Sequence, residues 1–358
     1  MVNDGRLQQR PPVDKRAARR VRCASSCERA LKRRRPKMSD ERTFIGVDIG
    51  GTKIATGLVR GARVLERISL PTLADRPKED VLRQVFASVD LILERTGHSL
   101  GEIAGIGIVA PGPLDPQTGE LLYSPNIPAL RDVPIAHLMR ERYGRPVRVE
   151  NDANAAGLAE ALFGAGAGYA HVFYVTVSTG IGTGVILGGK IYGGRTGMAV
   201  EAGHVTIDYE GPLCNCGHRG CIEAFASGTA IARRAKEKLR HATRPSQLLD
   251  LVAGDLNAIT PIVVGEAARR GDSLALEIVE ETARFLSIWL GGMINVFDPD
   301  IIVLGGGVSQ WGDLLFPRLR ELTPTYSILP RAAEIAIVPA RLEADVGILG
   351  AAALFATP

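Results

Sequence analysis

Two stretches of this chain repeat one pattern. Residues 44–59 and 172–187 each read as an apolar strand, a glycine-bearing turn and a second apolar strand. In the first, the strands 44–47 and 54–59 flank Asp-Ile-Gly-Gly-Thr-Lys (48–53); in the second the turn is Ser-Thr-Gly-Ile-Gly-Thr-Gly (178–184). Glycines between two apolar runs signal a hairpin, because glycine takes the backbone conformations that tight turns need. Two such hairpins far apart predict a duplicated α/β architecture with a cleft between its halves. The 358 residues, 46% of them hydrophobic, are enough for two ordinary domains with real cores.

The rest of the pattern fits that frame. Apolar residues at helical spacing (Val81, Leu82, Val85, Phe86, Val89, Leu93) predict a helix over 77–95. Residues 103–109 read as a buried strand running into Pro111-Gly112-Pro113, and 146–150 as a strand that delivers Asn151 and Asp152 to an Ala-rich helix over 153–163. Long helices are predicted over 231–245 and 262–290, strands over 301–304 and 334–339, and a Gly/Ala-rich helix over 346–355. No run reaches the roughly 18 to 20 apolar residues of a membrane helix. The first 37 residues carry 13 Lys/Arg against three acids, so with a whole-chain charge of +4 the remainder is mildly acidic, at −6. An acidic body argues against a nucleic-acid surface on the domains. The Arg-rich segment reads as a disordered extension, against the alternatives of a basic arm or a targeting peptide.

Several clusters carry chemistry. Glycine turns bring backbone N–H groups close to a phosphate. In the first turn Gly50 and Gly51 do so, Thr52 and Lys53 add a hydroxyl and a cation, and Asp48 can hold Mg²⁺ through water. In the second, Gly180 and Gly182 are joined by the hydroxyls of Ser178, Thr179 and Thr183. Gly305, Gly306 and Gly307 after a strand offer bare backbone to a nucleoside. The Walker spacing GxxxxGK[ST] is absent. Asp152, with Asn151 and Asn154, starts a helix: a plain reading makes it the N-cap, a functional one makes it a base for a sugar hydroxyl. Cys214, Cys216 and Cys221 cannot build a disulfide framework alone and instead suggest a structural zinc site in a reducing compartment. His204 and His218 compete for the fourth position; His218 sits in the short loop between two of the cysteines, so His204 is favoured. Zinc there would pin Glu201, His204 and Glu223 in one place.

With these residues assembled, the chain resembles the ROK family of bacterial sugar kinases and repressors. The resemblance covers residues 43–357 and rests on DIGGTK (48–53), PGP (111–113), ENDANAA (150–156), STGIGTG (178–184), EAGH (201–204), CNCGHRGCIE (214–223) and LGGG (304–307). It implies an actin-like ATPase (ribonuclease H-like) α/β fold: an extension over 1–42, a small domain over 43–150 completed by a C-terminal helix in 346–357, and a large domain over 151–345. It implies ATP with Mg²⁺, a structural zinc on His204, Cys214, Cys216 and Cys221, and Asp152 as base. Sugar contacts fall on Asn126, Asn151, Asp152, Glu201, His204 and Glu223. The implied activity is phosphorylation of glucose at its 6-hydroxyl by a cytoplasmic homodimer. Mannose, fructose, N-acetylglucosamine and N-acetylmannosamine are the alternative substrates. The winged helix-turn-helix of the family's regulators has no match in the Arg-rich extension.

Overall fold

The computed structural model describes residues 41–356. The readings made for the basic extension fall outside the described residues.

Ile- and Val-rich runs form the first sheet. Strands β1 (Thr43–Ile49), β2 (Lys53–Arg60) and β3 (Arg63–Pro71) make an antiparallel meander. Helix α1 (Lys78–Thr96) then returns the chain to β4 (Ile103–Ala110), parallel to β1. Short strands β5 (Leu114–Asp115), β6 (Glu120–Tyr123) and β7 (Arg131–Val133) form a small separate sheet, whose β6–β7 connection carries Asn126. Helix α2 (Ile135–Tyr143) leads to β8 (Val147–Asn151), parallel to β4.

Helix α3 (Asp152–Phe163) carries the chain to the second sheet, which opens on β9 (His171–Val177), β10 (Ile181–Leu187) and β11 (Lys190–Ile191). A helical stretch follows: α4 (Ile222–Ala226), α5 (Gly228–His241), α6 (Gln247–Leu251), α7 (Pro261–Arg269) and α8 (Ser273–Phe297). Strand β12 (Ile301–Gly305), helix α9 (Phe316–Leu322), strand β13 (Ala336–Pro339) and helix α10 (Val346–Ala353) complete the fold. The sheet orders are β3-β2-β1-β4-β8 and β11-β10-β9-β12-β13. Each is a three-stranded meander extended by two parallel strands on the side of its first strand. The repeated hairpins are thus the first elements of two halves with one topology, the actin-like ATPase fold.

Two separate cores serve the two sheets. The long helix expected over 262–290 is two helices, α7 and α8. Gly271 takes φ +83 between them, a left-handed conformation that ends α7, and the Asp272 carboxylate caps α8 by accepting from Ala275 N–H at 2.8 Å. Helix α10, late in sequence, lies on the first sheet. A side chain at Gly46 would fall 2.2 Å from Ile348 O and one at Gly107 1.9 Å from Ala351 O, so the helix backbone rests directly on β1 and β4. Among the described residues no helix is long and apolar enough to cross a membrane.

Candidate active site

The junction between β8 and α3 sets the centre of the site. Asn151, the last residue of the strand, caps the helix: its Oδ1 accepts from the N–H of Ala153 (2.9 Å) and Asn154 (3.2 Å). Capping, read from sequence as the plain role of Asp152, therefore belongs to Asn151. Asp152 is the first helical residue, with its Oδ1 accepting from Ala153 N–H at 2.8 Å. Burial holds the Asp152 carboxyl above the usual carboxylate range, against that backbone hydrogen bond. Glu150 beneath it is also raised by burial while it accepts from Asn151 N–H (2.9 Å) and Asn154 Nδ2 (3.1 Å).

Asp152 lines a cleft of about 580 Å³ together with Asn126, Asn151, Glu201, His204 and Glu223, so all six residues expected to touch sugar share one cavity. The segment bearing Glu201 is held by its neighbours. The Thr183 hydroxyl donates to Val200 O and accepts from Ala202 N–H (3.2 Å), and Trp289 Nε1 donates to Ala202 O at 3.0 Å. Thr183 was expected to meet phosphate; its hydroxyl is engaged in placing Glu201 instead. Glu201 is raised by burial, with His204 opposing and the Asp152 and Glu223 charges adding.

Glu223 stands in the first turn of α4, two residues after Cys221. Its Oε2 accepts from Ile181 N–H at 2.9 Å and its Oε1 lies 3.6 Å from Cys214 Sγ. The carboxylate thus spans the second glycine turn and the cysteine cluster. The ligand atoms of His204, Cys214, Cys216 and Cys221 all lie within 4.8 Å of one another. Cys214 Sγ to His204 Nδ1 and Cys216 Sγ to Cys221 Sγ are both 3.6 Å. A tetrahedron with metal–sulfur bonds of about 2.3 Å has edges of about 3.8 Å, so the set fits Zn²⁺. His204 meets the cysteines through Nδ1 and leaves Nε2 for the cleft. His218 Nδ1 lies 3.5 Å from Cys216 Sγ, outside the four-residue cluster.

A second cavity, of about 620 Å³, meets the first at Ser178 and Thr179, which line both. Its walls come from the start of α5 (Gly228, Thr229), from Thr260, Pro261 and Ile262 around the start of α7, and from Gly307 and Val308. The turn is fixed to α5: Gly228 N–H donates to Ser178 O (2.7 Å) and the Thr229 hydroxyl to Thr179 O (2.9 Å). Gly180 and Gly182 line the cleft that holds Asp152, where side chains would strike Glu223 and Ala153. Of the three glycines at the end of β12, Gly305 to Gly307, only Gly307 lines the second cavity. A side chain at Gly305 would fall 2.8 Å from Tyr174 Oη, and Gly306, at φ +83, passes the backbone of Val177, so both are packing positions rather than cavity wall.

The first turn stands against the loop that carries Asn126. A side chain at Gly51 would fall 2.9 Å from Asn126 Cβ, and Gly50 N–H donates to Lys53 O at 3.0 Å to close the turn. Thr52 O accepts from Thr72 N–H at 3.0 Å. Asp48 is pushed up to about 6 by burial, with the Asp152 charge adding and Lys53 opposing. Asp48, Gly50, Gly51, Thr52 and Lys53 line neither cavity. They are joined to the site through Asn126 and through the field between Asp48 and Asp152. Residues 229, 260 and 262, and the support Trp289, had no sequence signal: each matters because of what packs opposite it.

Known proteins match this chain along nearly its whole described length. The ROK family model matches residues 44–357. A glucokinase from Thermotoga maritima is 40% identical over 314 residues, 87% of this chain and 96% of that protein. A ROK family glucokinase from Streptomyces griseus, solved in complex with glucose and AMPPNP, is 37% identical with a TM-score of 0.76, covering 87% of this chain and 98% of that one. A ROK family transcriptional regulator superposes with a TM-score of 0.80 at 26% identity, with 88% of this chain matched to 78% of that one. A matched length that takes in both glycine turns, the helix headed by Asp152 and the Cys₃His cluster leaves one conclusion: this chain belongs to the ROK family.

Proposed function

We propose that the protein is an ATP:hexose phosphotransferase that phosphorylates glucose at its 6-hydroxyl, with Asp152 as the general base. The observation that carries this reading is the placement of Asp152. It is freed from capping by Asn151 and stands in a cleft with five polar residues, beside a turn that opens into a second cavity. Glu223, His204 Nε2, Glu201, Asn126 and the Asn151 amide hold the hydroxyls at positions 1 to 4. Asn151 can only donate there, since its carbonyl oxygen caps α3. The nucleoside of ATP lies between Thr229, Thr260, Ile262 and Val308, and its phosphates run past Ser178 and Thr179 toward the first turn.

As the γ-phosphoryl group moves, Asp152 takes the proton of the 6-hydroxyl, and the turn amides meet the developing charge. Asp48 would hold Mg²⁺ through water, and the ion would supply charge neutralisation at the phosphates. Zinc on His204, Cys214, Cys216 and Cys221 would have no open position and no part in the chemistry. It would keep His204 and Glu223 where sugar would meet them. The small domain over 43–150 with helix α10 and the large domain over 151–345 close on the two substrates. The reading carries with it a cytoplasmic homodimer, whose assembly state ultracentrifugation measures.

The test is ADP release from Mg·ATP with glucose, mannose, fructose, N-acetylglucosamine and N-acetylmannosamine in parallel. Glucose gives the highest kcat/KM. A preference for an amino sugar corrects the substrate, and sugar-independent ADP release alone removes the kinase assignment.

A further inference from the structure

We infer that Thr72 is a positioning residue for phosphoryl transfer, whose buried hydroxyl holds the first glycine turn in the shape that receives the terminal phosphates of ATP. The inference rests on the kinase reading, which brings those phosphates to the turn, and extends it to a residue outside both cavities. It starts from the end of β3. That strand stays paired with β2 up to Pro71 opposite Lys53, so the next residue, Thr72, stands beside the segment 50–52 that joins β1 to β2. Thr72 is fully buried. Its Oγ1 donates to Gly50 O at 2.6 Å, and its N–H donates to Thr52 O at 3.0 Å. Leu73 then takes φ +57, a strained conformation for a leucine, and the chain turns off the sheet toward α1.

The two bonds differ in what they demand of the residue. The N–H bond extends the β2–β3 ladder and asks only for a residue other than proline. The hydroxyl bond needs Thr or Ser. A trans peptide points its C=O and its N–H in opposite directions. With Gly50 O and Thr52 O both turned to Thr72, the Gly51 and Lys53 N–H groups of the same two peptide units face away from it. The other flank of the turn is set by Asn126, since a side chain at Gly51 would fall 2.9 Å from its Cβ.

A Gly-Gly pair is the freest backbone a chain has, and ordering it on binding would cost affinity. Held between Thr72 and Asn126, Gly50-Gly51 is ordered before the nucleotide arrives. The turn lines neither cavity, so it meets the phosphates as the halves close and carries its shape with it. Donors fixed in advance stabilise the transferring charge without reorganising. Thr72 itself touches no substrate; it acts through the turn.

The test compares the full-length parent with Thr72→Val, which removes the hydroxyl and keeps the shape, and Thr72→Ser, which keeps the hydroxyl. Melting temperatures are checked, and Thr72→Ala stands in should the Val protein not fold. In the Val variant kcat/KM for ATP falls about tenfold or more, through a lower kcat and a higher KM. Calorimetry separates the turn from the rest of the site: the affinity for Mg·AMPPNP falls, while those for adenosine and glucose, which do not reach the turn, stay near parental. The Ser variant recovers most of the loss. Parental kcat/KM for ATP in the Val variant overturns the inference and leaves the kinase reading standing. Equal losses for AMPPNP, adenosine and glucose, or a Ser variant as impaired as the Val one, overturn it as well, since a general loosening then explains the effect. A parent that releases no ADP in response to sugar removes the kinase reading and the inference together.

Discussion

Asp152 and Asn151 divide two tasks that either residue type can perform. An Asn at the N-cap satisfies two helix N–H groups with its carbonyl oxygen, which leaves the following carboxylate to face the cleft. Asp152→Asn keeps the shape and removes the base, so turnover falls roughly 10²- to 10⁴-fold. Glucose affinity by calorimetry stays near that of the parent. A base must be ionised to act, and burial raises the Asp152 pKa. The parent's kcat/KM therefore climbs with pH along an acid limb above the ordinary carboxylate range, then levels. Near-parental turnover in the Asn variant refutes the assignment. Asp48 makes a second residue-scale case. Its carboxyl titrates near pH 6 when folded against 3.8 as its ordinary value, so the fold binds the proton more tightly than the unfolded chain does. The group is harmless to stability below about pH 4. It becomes progressively destabilising as pH rises to about 6, by at most about 3 kcal/mol above that. Asp48→Asn accordingly raises the melting temperature of the ligand-free protein at pH 7.5, raises it less at pH 5, and loses turnover at both.

Elements that depend on local pattern were legible, and those that depend on what packs across from them were not. The repeated hairpins foretold two halves because strand periodicity and glycine turns are properties of a few adjacent residues. The break between α7 and α8 was missed, since one Gly-Asp pair inside an amphipathic pattern weighs little until Asp272 is seen capping the next helix. Thr183 was read as a phosphate contact and Gly306 as backbone against a nucleoside, while the fold uses one to hold Glu201 and the other to pass Val177. The cysteine loop shows the opposite: its three cysteines lie close in sequence, and the structure brings them together with His204. Glu223 follows Cys221 on α4, so its position depends on that loop. Removing zinc with a chelator raises the glucose dissociation constant about tenfold or more, with a smaller change for ATP. The paired readouts are metal content and calorimetric sugar binding. Tight sugar binding in metal-free protein would show that the loop does not position the cleft.

At the scale of the whole molecule, the chain passes between the two sheets at two places, through α3 and through the segment from β13 to α10. Helix α3 packs on β9 and β10, and α10 on β1 and β4, while the two helices pack on each other between the sheets. Glu160, fully buried near the end of α3, ties the crossings together. Its Oε1 accepts from the N–H groups of Arg341 and Leu342, both at 2.8 Å, just before α10, and its Oε2 from Ala165 N–H at 2.7 Å. The helix that begins with Asp152 is thereby fixed to the strand of chain that leads onto the first sheet. Closure of the halves around the cleft must turn about these crossings, and a loosened joint lets α3 and α10 move independently. Glu160→Gln keeps the volume but sets an amide N–H₂ against a backbone donor, at a cost of about 2 kcal/mol. The melting temperature drops by roughly 3–5 °C. Hinge positions alter kcat and KM together, so this variant lowers kcat while raising the KM of both glucose and ATP. Asp152→Asn, by contrast, lowers kcat alone. A Glu160→Gln protein that melts early but keeps parental kcat and both KM values would make Glu160 a stabilising contact with no hold on closure.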